Sequence, residues 1–270
     1  MRKVISVSLS VVLASLVIGC SSDDDSSESS TNYLFGDSVV IETKVDAVRA
    51  LQVVTSTRRV SSATPSAEID STVKCKTGSV QVEGDTPDSD SVYEELTYTY
   101  DNCFDGYSIT NGVETISSGA YETITEYDDY KVDVASVGTS TSNMTVERYN
   151  SKNGGAFGMT VRNGTSEFDY ISNSNRGEEA YQDFTETTEV DGGERIDGGY
   201  SFASTKFNCA EGKYDVTTNE VIHLPAGRPI DGELEINGVT YVFNTDGAAT
   251  VTFEDGHREV ITISGTLNCN

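Results

Sequence analysis

From Val92 to the C-terminus, apolar and polar residues alternate in short runs, and nothing there repeats at helical spacing over a useful length. Leu96, Tyr98 and Tyr100 share one parity with Val92, while Thr97 and Thr99 take the other, as on a half-buried strand. Similar runs recur at 119–126, 130–137, 143–149, 156–162, 166–172, 180–189, 199–208 and 213–222, punctuated by Gly, Asn and Asp. The four prolines, at 65, 87, 225 and 229, all fall between runs. Strands so closely spaced leave no room for crossover helices, so their connections are antiparallel. The expected fold is all-β: one large curved antiparallel sheet, a barrel or half-barrel, with a two-sheet sandwich as the alternative.

The last forty residues can be read to register. Asn237-Gly238 is a two-residue turn whose central positions both need positive φ. It sets Ile236 opposite Val239 and Leu234 opposite Tyr241. A three-residue loop at Thr245-Asp246-Gly247 sets Phe243 against Ala249, Tyr241 against Val251 and Val239 against Phe253. A two-residue loop would oppose Tyr241 to Thr252 and spoil the apolar face. An odd-length loop around Asp255-Gly256-His257 keeps Ile261 and Ile263 inward, and the same parity carries Leu267 and Cys269 inward. The result is a four-stranded meander.

One helix is expected, over 37–59, with Ile41, Val45 and Val48, and Ala47, Leu51 and Val54, at helical spacing. Asp37 or Ser38 would cap it, and Arg58-Arg59 suit its C-terminal dipole. Residues 61–71 and 84–91 read as loops. Two faint internal echoes occur. Asn102-Cys103-x-Asp105-Gly106 resembles Asn208-Cys209-x-Glu211-Gly212, and Asp105-Gly106-x4-Asn111-Gly112 resembles Asp231-Gly232-x4-Asn237-Gly238.

The N-terminus has a different character. Met1-Arg2-Lys3 precedes an apolar run from Val4 to Ile18, the layout of an export signal and too short for a mature membrane-spanning helix. The run ends in Leu16-Val17-Ile18-Gly19-Cys20, which resembles the lipobox of bacterial lipoproteins, with Ile18 bulkier than the usual residue there. The resemblance covers the first twenty residues. It implies cleavage before Cys20, a diacylglycerol on its thiol and an acyl chain such as palmitate on the new amino terminus, a stable membrane anchor when two or more chains are present. Ser21, in place of Asp, points by the usual sorting rule for such lipoproteins to the outer membrane of the cell envelope. Residues 1–19 are then a signal peptide, 20–33 a lipidated cysteine with a disordered acidic, Ser-rich tether, and 34–270 a single β-rich domain.

Cleavage removes Arg2 and Lys3 and no acid, so 18 basic residues fall to 16 against 44 acidic ones, a charge of −28 over 251 residues. Such a chain repels nucleic acid and anionic headgroups. The other four cysteines, Cys75, Cys103, Cys209 and Cys269, are expected to form disulfides in an exported protein and allow three pairings. The first echo gives each half one Asn-Cys cysteine and one other, which favours Cys75–Cys103 and Cys209–Cys269.

No catalytic constellation has useful specificity. The two histidines, His223 and His257, fall on loops or turns, and no H-E-x-x-H, G-x-S-x-G or phosphate-binding loop is present. Glu94-Glu95, Asp128-Asp129 and Glu178-Glu179 are carboxylate pairs, unremarkable in so acidic a chain, and there is no Trp to platform a sugar. Asp85–Asp90 spaces oxygens like part of a calcium loop but lacks its Gly and terminal Glu. Neither cofactor nor metal is expected. The sequence points to a non-catalytic envelope lipoprotein with a structural or interaction role, anchored by lipid and meeting another envelope protein. The alternative is a module binding an apolar ligand or glycan on a concave β face, for which the fourteen tyrosines are the candidates.

Overall fold

The structure is a computed structural model that describes residues 31–61, 74–84, 94–119, 121–150, 158–171, 174–223, 229–245 and 247–263. Residues 32–270 form one compact unit. Helix α1 (Lys44–Ser61) precedes strands β1 (Thr77–Gly84), β2 (Glu94–Phe104), β3 (Ser108–Ser118), β4 (Glu122–Val134), β5 (Gly138–Asn150), β6 (Gly158–Tyr170) and β7 (Asn175–Thr188). There follow β8 (Glu194–Ser204), a 3-10 turn (Asn208–Ala210), β9 (Gly212–His223), β10 (Asp231–Ile236), β11 (Val239–Asn244), β12 (Ala248–Thr252) and β13 (Arg258–Thr262). All thirteen strands pair antiparallel in sequence order within one sheet, and β1 and β13 do not pair with each other among the described residues. Laid flat, thirteen strands would span ~58 Å. Yet Met144 on β5 and Phe168 on β6 pack against the same apolar core as β9–β13, so the sheet is strongly curved. The fold is thus all-β, one open curved sheet rather than two.

The C-terminal meander has the expected register. Leu234 opposes Tyr241 and Ile236 opposes Val239 across a turn in which Asn237 and Gly238 have φ of 48° and 79°. A three-residue loop then sets Phe243 against Ala249 and Tyr241 against Val251, with Gly247 left-handed at 69°. Ala249 opposes Ile261, which is fully buried. Leu267 and Cys269 lie outside the described residues.

The helix starts later than its apolar spacing predicts. Thr43 is its N-cap: Thr43 Oγ1 accepts from the Asp46 N–H at 3.3 Å, and Asp46 Oδ2 accepts from the Thr43 N–H at 3.1 Å. Ala47, Ala50, Leu51 and Val54 form its buried stripe, while Val45 is exposed and the expected Ile41–Val45–Val48 stripe does not form. The Tyr241 hydroxyl donates to the Ala47 carbonyl at 3.1 Å, tying α1 to β11. The helix and β7–β13 supply the main core, whereas β2 and β3 hold only a small cluster of Leu96, Tyr98 and Ile116.

Several runs that the sequence separates are continuous strands. β4 contains both 122–126 and 130–134, and β6 spans the gap at 163–165. The breaks are bulges. Asn102, Asp129 and Asp183 take positive φ at register shifts, and the backbone N–H of each donates to an asparagine Oδ1 on a neighbouring strand: Asn111 at 2.8 Å, Asn143 at 2.7 Å and Asn163 at 2.7 Å. A bulge adds one residue to one strand and tightens its twist, which bends the sheet. β1 and β3 have no counterpart among the expected strands. The two echoes also part company: Asn102 sits in a strand bulge but Asn208 in a 3-10 turn, and Asn111-Gly112 lies within β3 where Asn237-Gly238 makes a hairpin.

Candidate functional site

A groove of about 860 Å3 opens where a strap of chain ahead of α1 crosses β9. The strap is held as a short parallel addition to the sheet: Val39 N–H donates to the Lys213 carbonyl at 3.0 Å, and Lys213 N–H to the Asp37 carbonyl at 2.8 Å. Asn237 secures both partners. Its Nδ2 donates to the Val39 and Lys213 carbonyls, each at 2.9 Å, and its Oδ1 accepts from the Asp215 N–H at 2.6 Å. Read in sequence, Asn237 is only a turn residue; its amide has a second job that no local pattern announces.

The floor of the groove is apolar, from Val39, Ile41, Val239 and Phe253, and four carboxylates rim it, Glu42, Asp215, Glu254 and Asp255. Among the described residues no lysine or arginine lines it. The His257 ring stacks on Phe253 with centroids 4.1 Å apart, and its Nδ1 lies 2.5 Å from Asp255 Oδ1. The His257 backbone N–H and then its ring hold the Asp255 carboxyl below the ordinary carboxylate range. The surface on offer is apolar, rimmed with negative charge.

The concave face carries two buried carboxylates. Glu179 accepts from the Tyr181 hydroxyl at 2.8 Å and from the Tyr200 hydroxyl at 3.1 Å, and burial raises its pKa. Glu114 accepts from the Tyr100 hydroxyl at 3.3 Å, and burial raises it likewise. Arg162 pairs with Glu186 and lies over the Tyr181 ring. Tyr181, Phe184, Tyr200 and Tyr214 pack ring against ring. These tyrosines fill the core, and among the described residues none of them lines the groove beside the strap.

The residues singled out in the sequence fare differently. Cys75 and Cys103 form a disulfide that pins the entry to β1 against the end of β2, with Cα atoms 5.0 Å apart. Cys209 is disulfide-bonded too; Cys269, Cys20 and the acidic loop Asp85–Asp90 lie outside the described residues. His223 sits at an exposed end of β9, its Nδ1 2.7 Å from Asp231 and its Nε2 3.4 Å from Asp191, and these carboxylates raise its pKa. Glu178 and Glu179 face opposite sides of β7, one exposed and one buried, so they form no pair. Asp128 and Asp129 are both exposed, and Glu95 accepts from the Ser117 hydroxyl at 3.1 Å. Asn143 and Asn163, the asparagines of two N-x-Thr triplets, clamp bulges.

Among the described residues no three His, Cys, Asp or Glu side chains gather as a metal site, and no helix is long and apolar enough to cross a membrane. No protein-family model, curated protein or solved structure matches the chain.

Proposed function

We propose that the chain is an exported bacterial lipoprotein, held in the cell envelope by acyl groups on Cys20, whose β domain works by interaction and not by catalysis. The observation that carries this is the N-terminal order of basic head, apolar run and Gly19-Cys20, followed by an acidic Ser-rich spacer. Ser21 after the cysteine argues for the outer membrane. The acidic groove is the surface best suited to a partner, and its charge calls for a basic segment that carries apolar side chains, from another envelope protein. The net charge argues against nucleic acid. A small apolar ligand or glycan on the concave face finds less support, because the tyrosines there pack against one another.

The anchor is tested by Cys20→Ala in the producing cell. The wild-type chain is expected to fractionate with membranes and the variant to become soluble. A variant that still sediments with membrane would contradict lipid anchoring at this residue.

A further inference from the structure

Arg148, near the end of β5, is anomalous in a chain with 18 basic and 44 acidic residues. Its Nη1 is sealed from solvent with no partner. The carboxyl that interacts with it electrostatically is Glu114, which burial biases toward its neutral form. A guanidinium stays charged at any ordinary pH, so a desolvated one without acceptors is costly. Native structures seldom leave such a group unmatched without a reason.

Arg148 lines a pocket of about 370 Å3 between β5, β6, β7 and the start of β8. The register places it in one row with Thr160 and Glu186, with Arg162 in the next row on the same face. The two arginines are thus diagonal neighbours, but only one is neutralised: Arg162 pairs with Glu186 and lies over Tyr181. Thr160, Thr188 and Tyr149 add polar atoms to the walls. A planar guanidinium fork whose Nη1 has no acceptor, at the wall of a small polar cavity that Glu186 and Glu194 also line, matches a carboxylate or a phosphoryl group in shape and charge. The volume suits a small molecule and not a polymer.

We propose that this pocket binds a small oxyanion, through a carboxylate or phosphoryl group seated on Arg148. The site lies apart from the acidic groove, and the proposal does not depend on lipidation at Cys20. The bound anion supplies the acceptor that Arg148 Nη1 lacks, so the site is least comfortable when empty. Replacing Arg148 with an apolar residue of similar length therefore weakens the ligand without weakening the empty protein.

The experiment titrates the purified full chain with sodium phosphate and, separately, sodium acetate, against sodium chloride at matched ionic strength. Calorimetry and thermal unfolding are the readouts, on wild type, Arg148→Met, Arg148→Gln and Arg148→Lys. One anion should bind per chain, saturably, and raise the wild-type Tm. Both neutral variants should lose at least about tenfold in affinity, with an unliganded Tm equal to or above wild type, and Arg148→Lys should keep part of the binding. Whichever probe binds more tightly identifies the group. The proposal is overturned by no saturable heat with either anion, or by an equal Tm rise in chloride. It is also overturned by unchanged binding in Arg148→Met, or by neutral variants that melt lower than wild type while no anion shifts the wild type.

Discussion

Glu179 is fully buried, accepts two phenol hydrogen bonds and has no described cation within ion-pair distance. Burial outweighs those bonds and the nearby Arg162 charge, so its folded pKa stands above the ordinary glutamate value of 4.5. The folded state therefore holds this proton more tightly than the unfolded chain does. The stability that follows is full below about 4.5 and is lost as pH rises through the raised folded value. Glu114 behaves in the same direction. Glu179→Gln removes the titration and keeps an oxygen acceptor for one tyrosine, its amide Nε2 donating to the phenol oxygen of the other. Urea unfolding should show the variant gaining on wild type between pH 4 and pH 8, by on the order of 1–3 kcal/mol at the upper end; parallel profiles would refute the assignment. Little of this is visible in sequence. Glu178-Glu179 reads as an acidic pair, but strand geometry sends the two to opposite faces. The available signal is Tyr181 two residues on, which marks Glu179 as lying on the aromatic face.

Among the elements, the meander was legible because its turns admit one register each. Asn237-Gly238 and Gly247 demand left-handed backbone, and only one parity keeps Leu234, Tyr241, Val251 and Ile261 together. The middle of the sheet hid its continuity. Asp128-Asp129 and Asn163-Gly164 carry turn chemistry inside β4 and β6, and the bulge at Asp183 lets Tyr181 and Phe184 both point inward, which breaks strict alternation. β1 escaped notice because it is exposed almost throughout and so has no apolar face to alternate. Bulges of this kind are intolerant of a side chain opposite them. A Cβ on Gly198, at φ 109°, would lie 2.3 Å from the Asp183 carbonyl oxygen, whereas one on Gly247, at φ 69°, meets nothing within 4 Å. Gly198→Ala should lower stability by more than about 2 kcal/mol and Gly247→Ala by about 1 kcal/mol. Chemical denaturation of the two variants gives the comparison, and equal losses would show that the bulge backbone can yield.

At the scale of the molecule, the apolar content is uneven: α1 and β7–β13 share one large core, while β1 is an exposed edge beyond a small cluster on β2 and β3. The chain reaches that weak edge last. Between residue 32 and β1 it is first fastened near the middle of the sheet, by Tyr33 to Gln182, Phe35 to Ser201 and the strap to Lys213. With the anchoring at Cys20 proposed above, this arrangement would be a load path. A pull from the N-terminal side is taken first by hydrogen bonds of the strap on β9, then by the helix in its core, and only afterwards by β1. There the Cys75–Cys103 bond stops further release at a covalent link. Stretching the chain between its N-terminal end and a handle on Val190, which is 71% exposed, should therefore release residues 32–61 first, at least about 100 Å of chain. A first rupture that peels β1 from β2 would show the reverse order. Fastened this way, the sheet would be insulated from the proposed leash: jolts from the N-terminal side reach the strap and helix before any strand is unzipped.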